Sequence, residues 1–194
     1  MQKIFNSLVI LSLLTSSISS CAVVAVGAVA AAAGTTAAVA TDPRKSGTIL
    51  DDNTIATKLQ NKLSNNYPNT NLYVTCYNGI VLLTGQIDSA KSKQGAIFDA
   101  KTIPGVRQIY NYLEVKSSQG FSSRTEDSYT TTQIKTKLIG ISGVKSNDIK
   151  VVTTNSVVYL LGIVTKAQAK EISDAAASIN GVTKVVTLFE YTSS

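Results

Sequence analysis

Histidine and tryptophan are absent from this sequence of 194 residues, and cysteine (two), proline (three) and methionine (one) are scarce. Without histidine there is no His-based catalytic triad, no His-ligated metal and no imidazole base for neutral pH. Glycine-rich phosphate loops and clusters of metal ligands are also missing from the sequence. Asp51 and Asp52 are adjacent carboxylates, but their position before a predicted helix is typical of capping. We therefore expect no enzyme activity, no catalytic residues, no metal, no cofactor and no small-molecule substrate.

The N-terminus has the order of a secretory signal. Lys3 is followed by an apolar run and then by small residues up to Cys21. The segment Ile18-Ser19-Ser20-Cys21 resembles the lipobox of bacterial lipoproteins, in which the chain is cut before a cysteine that becomes lipidated. This predicts a signal peptide over residues 1–20, a covalent lipid on Cys21 and an Ala-rich tether over 21–47. The alternative is an uncleaved membrane anchor, because Ala22 to Ala40 is long enough to span a bilayer.

The residue after Cys21 bears on where such a lipoprotein would reside. By resemblance to lipoprotein sorting in enterobacteria, Ala22 in place of Asp favours the outer membrane, with the chain on the periplasmic side. An acylated Cys21 leaves only Cys76, so no disulfide can form within the chain. Cys76 shares a predicted strand face with Leu72 and Val74, which predicts a buried structural thiol rather than a nucleophile.

Two short segments of the sequence recur. The segment from Tyr77 to Gly85 is similar in sequence to that from Thr154 to Gly162, and each is followed, after a gap the length of a helix, by Gly-Val. The two Gly-Val pairs, at Gly105 and Gly181, lie 76 residues apart. This spacing indicates an internal duplication of units of about 65 to 70 residues, a size that is marginally stable alone. Packing of one copy against the other would help both.

Each copy shows the same order of predicted elements. In the first copy, a helix follows Asp51-Asp52, a hairpin turns at Asn78-Gly79, a second helix runs from Asp88-Ser89 to Thr102, and a last strand covers Val106 to Val115. In the second copy, a helix follows Asp127-Ser128, two strands follow it, a helix opens at Thr165, and Val182 to Tyr191 closes the sheet. Thr41 to Gly47 is predicted as a turn-rich linker. The fold class is α+β, with two tandem α-β-β-α-β units, each a three-stranded mixed sheet with two helices on one face.

These residues resemble the BON domain family. The hairpins approximate its Val-x-Leu-x-Gly motif at Val81 to Gly85 and Val158 to Gly162, and Gly-Val precedes the last strand of each copy. The order of elements behind a lipobox is similar to outer-membrane lipoproteins with two BON domains. We place domain 1 at 48–116, a linker at 117–126 and domain 2 at 127–194. The resemblance implies a non-enzymatic periplasmic protein that binds anionic phospholipid through the first helix of domain 2 and supports outer-membrane integrity.

The first helix of domain 2 can be examined by its own geometry. With Ile134 inward, steps of 100° per residue place an aromatic and an aliphatic side chain outward, at Tyr129 and Ile139, with Lys135 at the edge. Such a face suits a lipid surface, since the ring sits at headgroup level and the ammonium meets phosphate. The candidate phospholipid-binding residues are Tyr129, Thr132, Gln133, Lys135, Thr136 and Ile139. The alternative is that Tyr129 and Ile139 pack against domain 1 or the linker.

The two first helices are not equivalent on their outer sides. Thr54 stands where Tyr129 does, and Ser64 stands where Ile139 does. The outward apolar pair therefore occurs only in domain 2. This predicts a structural first domain and a membrane-contacting second one.

Charge and exposed strands leave two further partners to consider. The formal net charge of +6 is compatible with mild affinity for anionic membranes, and charge alone also permits nucleic acid. The predicted export and the lack of an aromatic-basic motif argue against nucleic acid. The alternative function is a protein-protein adaptor or scaffold in an envelope assembly or secretion complex. Edge strands and the segment Tyr110-Asn111-Tyr112 are its candidate contacts with envelope proteins.

Overall fold

A computed structural model describes residues 46–68, 70–116 and 124–192. The predicted signal peptide, Cys21 and nearly all of the predicted tether lie outside these residues, as does most of the linker between the domains. The elements of domain 1 are α1 (Ser46–Asn66), β1 (Asn71–Tyr77), β2 (Ile80–Ile87), α2 (Ala90–Lys101) and β3 (Gln108–Val115). Those of domain 2 are α3 (Arg124–Leu138), a 3-10 turn (Ser146–Asp148), β4 (Ile149–Thr154), β5 (Val157–Val164), α4 (Lys166–Ala177) and β6 (Lys184–Tyr191).

Each domain has a three-stranded mixed sheet with the hairpin return strand in the centre. In domain 1, β2 pairs antiparallel with β1 and parallel with β3. In domain 2, β5 pairs in the same way with β4 and β6. The parallel strand requires a crossover, which α2 and α4 provide. The predicted fold class is confirmed, because both copies have the order α-β-β-α-β and a mixed sheet.

The hairpin turn and the second helix of each domain follow from local sequence. Asn78 and Gly79 have φ of 51° and 73°, the conformation of a two-residue hairpin turn that Asn-Gly favours. The hydroxyl oxygen of Ser89 accepts a hydrogen bond from the N–H of Ser92 at the start of α2. Thr165 caps α4 and forms a reciprocal capping box with Gln168. The predicted turn and both predicted caps are confirmed.

Each sheet buries one face under its own two helices. In domain 1 the buried cluster includes Ile55, Leu59 and Leu63 of α1 packed on Val81 and Leu83 of β2. In domain 2 the corresponding cluster places Ile134 and Leu138 of α3 and Ile172 of α4 against Val158 and Leu160 of β5. Alternate residues of a strand point to opposite faces, so these clusters account for only half of each central strand.

The other face of each sheet packs against the other domain. The third cluster joins Tyr77, Ile80 and Leu82 of domain 1 to Tyr159, Leu161 and Leu188 of domain 2. The Tyr112 and Tyr159 rings lie 4.9 Å apart between centroids. The Tyr77 hydroxyl donates to the carbonyl oxygen of Asp148 at 2.9 Å. Residues Asp42–Ser194 form one compact unit, with the helices on the outside and the two sheets in the middle.

Charged and polar side chains also connect the two domains at the edge of this interface. Arg107 of domain 1 forms an ion pair with Glu190 of domain 2. The same carboxylate accepts a hydrogen bond of 2.5 Å from the amide of Asn78. In the buried part of the interface, the Thr154 hydroxyl donates a hydrogen bond to the Thr84 hydroxyl at 3.3 Å. Packing of the two copies therefore combines apolar burial with hydrogen bonds that fix their relative position.

The starts of both first helices differ from the prediction. Helix α1 begins at Ser46 and α3 begins at Arg124, so the acidic residues placed before these helices lie inside them. Ser46 and Gly47, predicted to lie in a turn, are helical. Asp52 and Asp127 are buried on the inner sides of their helices and bind the hairpin turns instead of capping a helix. The capping interpretation of these carboxylates was wrong.

Smaller corrections concern strand ends and side-chain burial. The last strands begin at Gln108 and Lys184, two residues later than predicted. In α2, Ala96 and Ala100 are buried, whereas Ala90 at its start is exposed. Helix α4 ends at Ala177, and Ile179 packs against the core of domain 2 from the turn that follows. Each difference lies at or near an element terminus, where the backbone direction changes and helical periodicity no longer applies.

Candidate functional site

Helix α3 buries one side against the sheet of domain 2 and has favourable charges at both ends. Thr130, Ile134 and Leu138 are buried on its inner side. Acidic residues lie in the first turn of α3, and Lys135 and Lys137 lie in the last turn. This distribution suits the helix dipole, which is positive at the N-terminus and negative at the C-terminus. The burial of these three residues leaves Tyr129, Thr132 and Thr136 on the side of α3 that faces solvent.

The outer side of α3 carries the predicted lipid-binding residues. Tyr129 is 65% exposed and Ile139 is 72% exposed, which are large values for apolar side chains. Thr132, Lys135 and Thr136 are also exposed, and Gln133 is half-buried. One correction applies to the geometry, because α3 ends at Leu138 and Ile139 lies in the turn that follows. The turn keeps the side chain of Ile139 outward although it is not helical.

The two outward threonines satisfy their hydroxyls within the helix. The Thr132 hydroxyl donates to the carbonyl oxygen of Ser128 at 3.0 Å, and the Thr136 hydroxyl donates to that of Thr132 at the same distance. A hydroxyl that already donates to the backbone loses less when water is removed from it. The polar part of this face can therefore approach an apolar layer at low cost.

A shallow groove runs beside the outer side of α3. Its volume is about 410 Å³, and its lining residues are Thr132, Gln133, Thr136, Lys137, Ser178, Ile179 and Asn180. The groove brings together three of the six predicted residues, whereas Tyr129, Lys135 and Ile139 lie outside it. Lys137, Ser178 and Asn180 were missing from the predicted set. The groove joins α3 to the C-terminal end of α4.

Lys137 has an equivalent in domain 1 with a different electrostatic environment. Lys62 donates to the Thr102 hydroxyl at 2.9 Å and forms an ion pair with Asp99 at 3.1 Å. Lys137 makes the matching hydrogen bond to the Ser178 hydroxyl.

The residue equivalent to Asp99 in domain 2 is an alanine. Buried Ala96 and Ala100 of α2 correspond to Ile172 and Ala176 of α4, a spacing of 76 residues that places Ala175 at the position of Asp99. Within the described residues, no carboxylate forms an ion pair with Lys137. The lysine was duplicated without its counter-ion, a difference that the sequence alone does not show because Asp99 lies on another helix.

Asp99 itself is held ionised by its neighbours. Burial by itself would raise the pKa of this carboxyl, but hydrogen bonds from Asn66, Lys62 and Tyr67, together with the charge of Lys62, outweigh burial and lower the pKa. The ammonium of Lys62 is therefore neutralised by a carboxylate that stays charged in mildly acidic solution. At this position the lysine of domain 1 has a carboxylate partner, whereas that of domain 2 has only a hydroxyl partner among the described residues.

Some residues predicted as possible contacts between the domains face solvent, and others lie at the interface. Tyr129 on α3 and Ile139 in the turn after it are exposed and do not enter the sheet-to-sheet interface formed by the described residues. Tyr110 and Tyr112, considered as contacts for other proteins, are partly buried against that interface. The Tyr-rich segment thus joins the two domains to each other.

Two other classes of site, a metal centre and a membrane-spanning helix, are absent from the described residues. These residues contain no group of three or more His, Cys, Asp or Glu residues placed to hold a metal ion. None of their helices is both long enough and apolar enough to cross a bilayer. Cys76 is buried, as predicted, and its thiol lies 3.2 Å from a carboxylate oxygen of Asp52.

The duplicated α-β-β-α-β units define a class of small α+β domain, and comparison with protein families identifies it. The model of the BON domain family matches residues 51–117 and again 126–193. The chain therefore belongs to the BON domain family.

Relatives place this chain more narrowly. It is 40% identical over 158 residues to the outer membrane lipoprotein DolP of Haemophilus influenzae, covering 80% of this chain and 82% of that protein. It is 35% identical to the 21 kDa hemolysin of Actinobacillus pleuropneumoniae, over 77% of this chain and 79% of the relative. The osmotically-inducible protein Y of Escherichia coli K12 is 32% identical, over 73% of each chain. The chain is an outer-membrane lipoprotein of the BON family, while acylation at Cys21 remains a prediction.

Proposed function

We propose that this lipoprotein is not an enzyme but binds anionic phospholipid through the outer side of α3 and thereby supports the integrity of the outer membrane. The proposal is carried by Lys137, whose ammonium has no ion-pair partner among the described residues although its equivalent in domain 1 has one. A lipid phosphate can bind beside Lys137 as Asp99 binds beside Lys62 in domain 1.

The apolar residues beside the groove supply a second kind of contact. Tyr129 and Ile139 are exposed, and their equivalents Thr54 and Ser64 in domain 1 are exposed polar residues. Tyrosine is suited to the headgroup level, where its ring is partly apolar and its hydroxyl stays hydrated. An aliphatic side chain next to it can enter the acyl boundary.

Charge and apolar contact act together at such a surface. Each lysine near an anionic bilayer contributes on the order of 1 kcal/mol, and both Lys135 and Lys137 lie in the last turn of α3. Neither the lysine charges nor the apolar contact alone gives stable binding. The covalent lipid predicted on Cys21 would keep the outer side of α3 close to the membrane. The contact then needs only modest affinity of its own.

Vesicle co-sedimentation of residues 42–194 tests the proposal, because these residues form one compact unit with complete cores. We expect binding to vesicles containing phosphatidylglycerol and little binding to phosphatidylcholine alone. Tyr129→Glu and Ile139→Glu should each weaken binding about 10-fold or more, since a carboxylate is repelled by the surface and replaces an inserting group. The matched controls are Thr54→Glu and Ser64→Glu, which should bind like the wild type.

Two results would count against this function. Equal binding to charged and neutral vesicles would remove the role of anionic headgroups. A wild type that ignores both kinds of vesicle and instead captures a defined envelope protein would support the adaptor function. The role in envelope integrity predicts that cells carrying Tyr129→Glu become more permeable to large antibiotics, while cells carrying Thr54→Glu do not.

A further inference from the structure

The outermost strands of the two sheets present different backbone edges. Strands β3 and β6 each pair with only one neighbour. The N–H of Lys116 donates to Ile87 at 3.0 Å, and that of Thr192 donates to Val164 at 3.0 Å. Peptide groups alternate in direction along a strand, so even-numbered residues of β3 and β6 face the neighbouring strand. The odd-numbered residues direct their N–H and C=O groups to the outer edge.

In domain 1 this outer edge is covered by side chains of the same domain. The N–H of Leu113 donates to the side-chain oxygen of Asn111 at 3.0 Å. The carbonyl oxygen of Leu113 accepts from the ammonium of Lys93 on α2 at 2.5 Å. Covering the edge with polar and charged side chains is a common way for proteins to prevent a further strand from pairing there.

Domain 2 lacks both covering groups. At the spacing of 76 residues, Thr187 stands in place of Asn111, Ala169 stands in place of Lys93, and Phe189 corresponds to Leu113. In the part of the chain that the structure describes, no side chain or loop forms a hydrogen bond with the outward peptide groups of Val185, Thr187 or Phe189. Strand β6 therefore offers an open edge over its eight residues.

The sequence of β6 is complementary to itself in the antiparallel direction. With Thr187 opposite Thr187 of a second copy, Lys184 faces Glu190 and Val185 faces Phe189. Three of the four outward residues of β6 then fall in hydrogen-bonded pairs within the strand, which are Val185 with Phe189, Thr187 with Thr187 and Phe189 with Val185, and Tyr191 lies opposite Thr183, just before the strand. A β-branched residue facing an aromatic one is a favourable cross-strand pair, and Lys184 adds a cation next to the Glu190 carboxylate that Arg107 and Asn78 already bind.

We propose that β6 is the dimerisation edge of this protein and that its partner is a second copy of the same chain. The two β6 strands pair antiparallel about a two-fold axis at Thr187, and the two sheets of domain 2 become one continuous sheet of six strands. The surface is isologous, so the contact closes as a dimer.

The arrangement has a consequence for the proposed lipid contact, and only this consequence rests on that function. A two-fold axis between antiparallel strands is perpendicular to the sheet, so both α3 helices lie on the same side of it. Two equivalent lipid-binding faces would then meet one membrane, and avidity would exceed the affinity of a single face. Dimerisation itself needs no lipid.

Sedimentation equilibrium of the full chain in detergent tests the dimer without reference to lipid binding. The wild type should sediment as a dimer, and Thr187→Pro should be monomeric. The proline removes an N–H that points to the outer edge, so the pairing of β6 with β5 is kept. A wild type that stays monomeric, or a Thr187→Pro chain that folds and still forms the same dimer, overturns the proposal.

Cross-linking gives a second test that does not depend on a proline being tolerated. In a hydrogen-bonded antiparallel pair the two Cα atoms lie about 5.5 Å apart, within the range for a disulfide. Thr187→Cys in the full chain should give a disulfide-linked dimer on mild oxidation in intact cells, whereas Lys150→Cys, exposed on the opposite edge strand β4, should not. Equal cross-linking of both variants, or cross-linking of Thr187→Cys only to a different protein, contradicts the self-paired edge.

Discussion

Asp52 accepts a hydrogen bond from the backbone N–H of Gly79 at 2.7 Å, although the two residues lie in different elements, a helix and a hairpin turn. The other carboxylate oxygen accepts from the N–H of Asn78 at 2.6 Å. Asp127 binds Asn155 and Ser156 in the same way, at 2.9 and 3.0 Å. In both domains a buried carboxylate thus fastens the first helix to the hairpin.

Replacing Asp52 by asparagine should destabilise the chain, because the amide keeps only one acceptor oxygen and its NH2 group then faces the other turn N–H. We expect Asp52→Asn to lower the free energy of unfolding by about 1 to 3 kcal/mol, measured by urea denaturation of residues 42–194. Asp51→Asn is the control, since Asp51 is exposed and adjacent. Asp127→Asn should cost less than Asp52→Asn, because its hydrogen bonds are longer. An Asp52→Asn chain as stable as the control would mean that the carboxylate does not stabilise the turn.

The glycines that end the two hairpin motifs should respond differently to alanine. Gly85 has φ of 105°, and an added Cβ would lie 1.9 Å from the carbonyl oxygen of Asn71. At Gly162 the nearest atom is the terminal carbon of Ile149, at 2.8 Å, which can move. Gly85→Ala should therefore cost several kcal/mol or prevent folding, whereas Gly162→Ala should fold with a loss of about 1 to 3 kcal/mol. Similar melting temperatures for the two variants would contradict this difference.

The fold could be predicted from sequence where its signals are local or repeated. Asn78-Gly79 specifies a turn because both residues adopt positive φ, and the hydroxyls of Ser89 and Thr165 each cap a helix. Because the unit is duplicated, each type of element is predicted once in each domain. The outward direction of Tyr129 followed from helical periodicity alone. Ile139 was placed outward correctly, but the turn that carries it was not foreseen because Gly140 and the following residues end the helix.

What could not be predicted depends on contacts between distant segments. Asp52 was assigned to a cap because the sequence does not show that α1 starts six residues earlier. The packing of one sheet on the other had a signal, since Ile80 to Leu83 is apolar on both faces of the strand. That signal does not identify which surface covers the second face. The difference between Lys62 and Lys137 required the structure, which shows that Asp99 on another helix is the partner.

Alkaline titration should loosen the interface between the domains. Burial, followed by the proximity of Tyr112 and Glu114, raises the pKa of Tyr159 from 10.0 to about 12. Because the folded state favours the protonated phenol, this contribution to stability is complete below pH 10 and is lost as the pH rises towards 12. The loss is on the order of 2 kcal/mol.

Tyr159→Phe separates this effect from other alkaline changes. The variant should lose less stability than the wild type between pH 10 and 12, measured by urea denaturation at each pH. Tyr129→Phe, with an exposed ring, should keep the wild-type slope. The interpretation is wrong if the slopes of Tyr159→Phe and the wild type coincide.

The lipid anchor is testable although Cys21 lies outside the described residues. Cells supplied with labelled palmitate should incorporate label into the wild-type chain and not into Cys21→Ser, because only the cysteine thiol accepts the lipid at this position. Cys76→Ser is the control and should be labelled normally, since Cys76 is buried in domain 1. Equal labelling of the wild type and Cys21→Ser would refute the lipobox.

The role of Lys137 can be tested without removing the lysine. In domain 1, Asp99 neutralises Lys62, and Ala175 occupies the position of Asp99 in domain 2. Ala175→Asp should give Lys137 a counter-ion within the chain. The affinity of the protein for phosphatidylglycerol vesicles should then fall about fivefold, which corresponds to the loss of roughly 1 kcal/mol from one lysine. A thermal melt of each variant verifies that the partly buried aspartate is tolerated.

The reverse exchange in domain 1 completes the argument. Asp99→Ala removes the carboxylate that neutralises Lys62, so this variant should bind anionic vesicles more tightly than the wild type. The double variant Ala175→Asp with Lys137→Gln should bind no more weakly than Lys137→Gln alone, because the new carboxylate then has no lysine to neutralise. A further large loss in the double variant would show that Ala175→Asp acts by adding negative charge to the surface in general, and not through Lys137.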